Sequence, residues 1–145
     1  MTTTTRATLR QRMSEAIGDY QAVTSTSAGN TAATTIVSTE LLDISEGGDD
    51  DAFEGWYVLV TSGNNEGERR IIRSYAATDS TVTVERAFSN ATESDVTFEL
   101  HRQDPVFKNN AISRAIEELS RKVPQVIRDE TIFVDNLISN SDFET

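Results

Sequence analysis

Apolar residues recur at every second position between Glu54 and Arg102, in short runs bounded by Gly, Asn, Asp or Ser. This alternation is typical of half-buried antiparallel strands, because successive side chains of a strand point to opposite faces. The pattern therefore predicts four strands. In each of the first three strands, one face is predicted to carry Trp56, Val58 and Val60, then Ile71, Arg73 and Tyr75, then Val82 and Val84. In the last strand, Val96, Phe98 and Leu100 are predicted to point inward.

Short polar turns separate these runs, at residues 62–67, 76–80 and 89–94. Each turn suits a hairpin, so the four strands are predicted to form a meander. Two further β-branched runs, 20–25 and 34–39, precede them and add two strands. The sequence thus predicts a β core over residues 20–102, built as a small antiparallel β-sandwich or barrel of about six strands.

An N-terminal helix is predicted within residues 1–18. Leu9, Met13, Ala16 and Ile17 recur at intervals of three and four residues, and Tyr20 continues this apolar stripe. Such spacing places them on one face of a helix, which ends near the glycine that follows Ile17.

A second helix is predicted after the β core. Asp104 suits the N-cap and Pro105 the first helical position. Apolar residues then recur every four positions, and Pro124 stops the helix, so it covers residues 105–123. The stripe comprises Phe107, Ala111, Ala115, Leu119 and Val123, widened by Ile112 and Ile116.

Residues 124–145 have mixed periodicity, many apolar residues and no basic residue after Arg128. We interpret this segment as an extended C-terminal arm that packs on another copy of the chain. At 145 residues the chain has the length of a single domain, and its class is predicted to be α+β.

A formal net charge of −11 argues against sequence-independent binding of DNA, which needs Lys and Arg to neutralise phosphates. The charge is uneven, since residues 40–54 hold seven acidic residues and no basic one, while arginines cluster elsewhere. Such patches suit contacts between copies or with a partner. The predicted interface residues are Arg69, Arg70, Arg73, Arg114, Glu118, Arg121, Ile132, Phe133, Val134 and Leu137. For Arg69 and Arg70, ion pairing with acidic residues 49–51 is the alternative.

No catalytic, cofactor or metal site is predicted, and the sequence gives no argument for an enzyme. The chain lacks cysteine, and His101 is expected at the surface, without a nucleophile motif beside it. Gly63 and Gly67 are expected to be turn glycines, because no Lys of a phosphate-binding loop follows them. The acidic run at 49–51 lacks the ligand spacing of a helix-loop-helix calcium site, so a solvated loop is favoured over calcium binding. Neither an ordinary signal peptide nor a membrane-spanning segment is expected.

Several motifs of the β core resemble a β module of virion proteins in tailed bacteriophages. They are Gly55-Trp56-Tyr57-Val58-Leu59-Val60, Gly67-Glu68-Arg69-Arg70-Ile71-Ile72, Tyr75, Thr81-Val82-Thr83-Val84, Ala87-Phe88-Ser89 and Asp95-Val96-Thr97-Phe98-Glu99-Leu100. Phe98 stands where that module commonly has Tyr. The stretch Ala111-Ile112-Ser113-Arg114-Ala115-Ile116 is similar to the helix that follows the module in small neck or connector proteins.

This resemblance implies a structural protein of the virion neck, made in the cytoplasm of the host bacterium. The leading expectation is a head-to-tail adaptor, a homo-oligomeric ring beneath the portal protein that extends the DNA channel and meets tail or neck proteins. DNA would pass nearby without specific binding. Two alternatives stay open. One is a capsid decoration protein, and the other is a tail-associated binding module that uses Trp56, Tyr57 and Tyr75 as a stacking platform.

Overall fold

A computed structural model of the chain describes residues 4–44 and 47–122. Contacts divide the chain into two units, residues 1–113 and 114–145. The first unit holds an N-terminal helix, six strands and the start of a second helix, and the described part of the second unit is the rest of that helix. The predicted α+β class, with an antiparallel β core between two helices, is confirmed. The predicted arm at 124–145 lies outside the described residues.

The helices and strands follow one another in the order expected from the sequence. They are α1 (Arg6–Ala16), β1 (Gln21–Thr24), β2 (Thr35–Val37), a short 3₁₀ helix (Thr39–Asp43), β3 (Tyr57–Val60), β4 (Arg69–Ala76), β5 (Thr81–Val84), β6 (Thr97–His101) and α2 (Pro105–Lys122). The turn between β3 and β4 contains Gly63 and Gly67, whose φ angles are +76° and +84°. Both are turn glycines, as predicted, because glycine adopts positive φ without steric cost.

The six strands form one antiparallel sheet in the order β1-β6-β3-β4-β5-β2. β3, β4 and β5 form the predicted meander, but β6 crosses back to lie between β3 and β1. The prediction of a four-stranded meander is therefore wrong for the last strand. The connection from β5 to β6 buries Phe88 and Val96, which ties it to the core instead of leaving it as an exposed hairpin turn. The two edge strands of the sheet are β1 and β2. An isolated β-bridge connects Ser27, just after β1, with Val37 in β2, so the two edges approach each other and the sheet curls into a half barrel.

The inner face of this curled sheet holds the apolar core. Alternation correctly predicts the buried positions of β3, β5 and β6, which are Val58, Val60, Val82, Val84, Phe98 and Leu100. Leu41, in the 3₁₀ helix, and Phe53, in the loop before β3, complete the core from outside the sheet, and both are fully buried.

A β-bulge in β4 changes the alternation there. Ile72 pairs with Val84 and Ser74 with Thr83, so Arg73 is an extra residue on β4. One extra residue reverses which side chains face inward. Tyr75 consequently lies in the core with Ile72, while Arg73 is exposed. The predicted grouping of Tyr75 with Ile71 and Arg73 on one face is wrong for this reason.

Helix α1 begins where Thr5 caps it, with the Thr5 hydroxyl accepting the backbone N–H of Thr8 at 3.2 Å. Its buried residues are Arg10 and Ser14, and Ile17 is 56% exposed. The predicted apolar stripe is only partly covered, since Leu9 and Met13 are half-buried while Ala16 and Ile17 are exposed. A polar face of α1 packs on the protein.

Helix α2 begins at Pro105 as predicted, since the Asp104 carboxylate accepts the backbone N–H of Val106 at 2.8 Å. It is helical to Lys122, and the next residue of the predicted range is not described. Its buried residues are Pro105, Lys108 and Ile112, whereas Phe107 is 72% exposed. Among the described residues of the predicted stripe, Ile112 is buried and the others are exposed.

We predict that Tyr75→Phe lowers the free energy of unfolding by about 1 kcal/mol, because its buried hydroxyl donates a hydrogen bond to the Gly47 carbonyl at 2.8 Å. The ring contact with Phe53, with centroids 4.8 Å apart, is retained in this variant. Urea unfolding would measure the change. The matched control is Tyr57→Phe, since Tyr57 is half-buried; an equal loss in both variants would contradict the assignment.

Candidate functional site

The outer face of β6 carries Glu99 and His101, which alternate with the core residues Phe98 and Leu100. Alternation correctly predicts that the two polar residues share a face, but the expectation that His101 is a surface residue is wrong. His101 is fully buried and Glu99 is 7% exposed. The physical reason is that α1 and α2 both pack over this face and close it to solvent.

Arg10 of α1 makes the first contact across this interface. Its Nη2 donates to Oε1 and Oε2 of Glu99 at 3.1 and 3.0 Å, and its Nε donates to Oε2 at 3.2 Å. Its Nη1 donates to Oδ1 of Asn109 in α2 at 3.4 Å. A guanidinium matches the two oxygens of a carboxylate, so this contact fixes the orientation of α1 as well as its distance from β6.

Lys108 of α2 makes the second contact. Its Nζ donates to the Ser14 hydroxyl at 2.9 Å and to the Asp19 carbonyl at 3.1 Å, and it lies 3.2 Å from His101 Nδ1. It also lies 2.6 Å from Oδ2 of Asp19. One buried ammonium thus joins α1, the segment before β1, β6 and α2.

Both ring nitrogens of His101 have hydrogen-bond partners. Nδ1 lies 3.2 Å from the Lys108 amine and 3.3 Å from the backbone carbonyl of Asp19. Nε2 donates to Oε2 of Glu99 at 3.0 Å, since a carboxylate only accepts. The ring of Tyr20 lies against the His101 ring, with centroids 5.9 Å apart.

We call Arg10, Ser14, Asp19, Glu99, His101 and Lys108 the buried ion network. Its cations Arg10 and Lys108 each form an ion pair with one of its anions, Glu99 and Asp19. A buried charge without a partner costs several kcal/mol, while a paired one mainly specifies geometry. The network therefore fixes where α1 and α2 attach to the sheet.

The network also sets the ionisation of Glu99. Burial alone would raise the pKa of this carboxyl, but the hydrogen bond from His101 and the positive charge of Arg10 outweigh burial and lower the pKa. Burial raises the pKa of the neighbouring Tyr20 hydroxyl, and the negative charge of Glu99 adds to that effect. Glu99 is thus held as a carboxylate.

Ser14 and Lys108 have the side-chain types of a Ser–Lys pair, in which a neutral lysine activates a hydroxyl nucleophile. Here the Asp19 carboxylate stabilises the ammonium form of Lys108, and Ser14 is fully buried. The arrangement can hold two helices in place, but it gives a substrate no access to the hydroxyl.

The predicted interface residues of β4 do not all lie on one face of the sheet. Arg69 is paired with Leu59 on the outer face, whereas Arg70 is paired with the buried Val58 and lies over the Phe88 ring. Arg69 forms an ion pair with Asp104, and its guanidinium lies 5.8 Å from the ring centroid of Tyr57. Arg70 pairs with Glu68 and also donates to the backbone carbonyls of residues 86 and 87. Arg73 is exposed. β4 thus presents a group of arginines.

The acidic residues 49–51 have other partners than these arginines, so the alternative prediction for Arg69 and Arg70 is wrong. Asp51 accepts the backbone N–H of Tyr75 at 3.1 Å, and Asp50 accepts that of Ala77 at 2.8 Å. These carboxylates stabilise the end of β4 by taking its backbone donors, which explains their position in the chain.

The remaining predicted interface residues fall into two groups. Arg114, Glu118 and Arg121 are exposed on α2, and Glu118 pairs with Lys122 one turn later. The others, Ile132, Phe133, Val134 and Leu137, lie outside the described residues. The structure therefore brings Arg69, Arg70 and Arg73 together on β4 and places the helical residues in the second unit.

The aromatic platform expected for a binding module has its three rings in different surroundings. Tyr75 is 2% exposed and packs on Phe53 in the core. Trp56 is half-buried, with the Arg102 guanidinium 4.7 Å from its ring centroid, and Tyr57 lies on the outer face of the sheet. The three rings do not form one exposed surface.

No protein-family model, curated protein or solved structure matches the chain. Within residues 4–44 and 47–122, no group of three or more His, Cys, Asp and Glu side chains is arranged to hold a metal ion. None of the helices in this part of the chain is long and apolar enough to cross a membrane.

We predict that Glu99→Gln lowers the free energy of unfolding by about 3–5 kcal/mol, because it leaves the Arg10 guanidinium buried without its counter-ion. Chemical denaturation of the full chain would measure this. Glu118→Gln is the control, since it breaks an exposed ion pair and is expected to change stability by about 0.5 kcal/mol or less. Similar effects of both substitutions would refute the importance of burial.

The lowered pKa of Glu99 also predicts how stability depends on pH. Its folded-state pKa lies below the ordinary value of 4.5, so its stabilising contribution is full above that value and is lost as pH falls through the folded-state pKa. The stability difference between wild type and Glu99→Gln should therefore shrink below about pH 4.5. Unfolding curves between neutral and acidic pH test this, and a constant difference would contradict it.

Proposed function

We propose that this chain is a structural protein of a tailed-bacteriophage virion, and specifically a head-to-tail adaptor. Copies of it would form a ring beneath the portal protein, extend the DNA channel and bind tail or neck proteins. The observation that carries the proposal is the resemblance of residues 55–100 to a virion β module, followed by the connector-like helix sequence at 111–116.

The architecture of the described residues supports a structural role. The buried ion network attaches both helices to β6, which makes the first unit a well-defined building block. The charged groups of the network are buried, while Arg73 of β4 is exposed, as are Ile116 and Leu119 of α2 in the second unit. A protein that assembles with copies of itself needs exposed charged and apolar residues that can form the contact. The buried ion network keeps the fold that presents them in place.

The net charge of −11 suits the wall of a channel through which DNA passes without being bound. A channel wall must let the phosphate backbone pass, and negative charge prevents the counter-ion release that drives non-specific binding. The ring would therefore guide DNA without holding it.

A capsid decoration protein is the competing proposal, and stoichiometry separates the two. We expect quantitative mass spectrometry of purified virions to give a single ring's worth of copies per particle, measured against the major capsid protein. A ratio close to that of the capsid subunits would favour decoration instead. Absence of the chain from the particle would overturn both structural functions.

A further inference from the structure

The outer face of the sheet is covered on one side only. α1 and α2 lie over β6 through Arg10 and Lys108, and these two side chains are buried. Across β3 and β4 the same face carries three half-buried apolar residues. We call this group, Tyr57, Leu59 and Ile71, the open strip.

Two hollows flank the open strip. One, of about 320 Å³, lies beside α1 and is lined by Arg6, Leu59 and Asn109 among others. The other, of about 240 Å³, is lined by Ile71, Glu85 and Arg86 together with Arg69 and Arg70. Leu59 and Arg69 are paired in the sheet, so the two hollows adjoin across β3 and β4. Together they form a surface long enough for an extended peptide.

The charges around this surface favour an acidic ligand. Among the described residues, Arg6, Arg73 and Arg86 have no acidic side chain within ion-pair distance. Arg69 has a carboxylate partner but is still 36% exposed. The residues that line the two hollows include five arginines and two acidic residues, Glu66 and Glu85. In a chain with a net charge of −11, this excess of positive charge favours a negatively charged ligand.

One segment of the chain has the complementary composition. Residues 129–145 contain five acidic residues and no Lys or Arg, interspersed with large apolar residues such as Phe133, Leu137 and Phe143. Its 17 residues reach at most about 55 Å when extended, and neighbouring strands are about 4.8 Å apart, so the segment is long enough to cross the sheet.

We propose that residues 129–145 of one copy bind to the open strip of a neighbouring copy. The apolar side chains of the segment would cover Tyr57, Leu59 and Ile71, and its carboxylates would pair with Arg6, Arg73 and Arg86. This inference rests on the proposed function, since it supplies the contact from one subunit to the next in a ring. Of the predicted interface residues, it places Arg73 at the open strip of one copy and Phe133 in the segment of the other copy that binds there.

We assign the segment to a neighbouring copy because the proposed ring needs a contact between subunits, and α2 also has apolar surface exposed beyond Ile112. Ile116 and Leu119, on the last turns of α2, are 50% and 60% exposed. Apolar surface of this kind marks a contact with another molecule. Contact within one chain is the alternative outcome of the test below.

Cross-linking between two differently tagged full chains tests the proposal, because the chain has no cysteine of its own. One chain carries Glu85→Cys in the second hollow and the other carries Asn136→Cys in the segment. After mixing and treatment with a short bismaleimide, we expect a product that contains both tags. Thr78→Cys, at an exposed position in the turn between β4 and β5, is the control for random encounters.

Two results of this experiment would overturn the inference. A yield no higher than that of the Thr78→Cys control would show that the segment does not bind there. A cross-link formed only within a chain that carries both cysteines, and not between chains, would place the segment on its own sheet.

Charge reversal gives an independent measurement. We expect Arg73→Glu and Arg86→Glu each to weaken association between copies by about tenfold at low salt, measured by sedimentation velocity. Arg12→Glu is the matched control, since it makes the same charge change at another exposed position and should have little effect. Equal effects of all three substitutions would refute a specific contact at the open strip.

Failure of this inference is distinguishable from failure of the proposed function. A single ring's worth of copies in the virion, without cross-linking above the control, would overturn the contact and leave the adaptor standing. A cross-link between chains of a protein that virions lack would overturn the adaptor and leave the contact between copies standing.

Discussion

The pairing of buried charges on β6 is the constraint on which the placement of both helices depends. Arg10 reaches Glu99, and Lys108 reaches Asp19, in surroundings that exclude water. In such surroundings each charge needs its partner, so small displacements of either helix are costly. A polar interface of this kind attaches α1 and α2 in a defined register, whereas an apolar one tolerates more alternatives. The sheet faces an apolar core on one side and an ionic interface on the other.

The sequence predicts much of the fold because local patterns determine it. The alternation in β3, β5 and β6 identifies the core residues, and Asp104 with Pro105 marks the start of α2. The order of strands in the sheet depends on pairing between segments that are far apart in sequence, so patterns within a single strand do not predict it. β6 lies between β1 and β3 because the preceding connection is anchored in the core, and no periodicity within a strand encodes that choice. The bulge at Arg73 likewise depends on how β4 pairs with β5, which the residues of β4 alone do not determine.

The buried ion network is not predicted by the local pattern of the sequence. Polar residues on alternate positions of a strand ordinarily face water, which is why His101 is expected at the surface. Lys108 lies three residues after Pro105 and four before Ile112, on the face of α2 that contains these two buried residues. A cation on such a face indicates a buried anion opposite it, but no local pattern identifies that anion as Asp19. The sequence predicts the arginines of β4 as interface residues, and the structure adds the partners of Arg69 and Arg70.

The position of β6 in the sheet has a consequence for the order in which the chain folds. Arg10 and Glu99 are 89 residues apart, and among the strands of the described sheet β1 pairs with β6 alone. Neither α1 nor β1 therefore has its main partner until β6 has been synthesised. The hairpins β3–β4 and β4–β5 can form earlier, because their strands are adjacent in sequence. During synthesis α1 is made before β6, yet it is among the last elements to reach its final place.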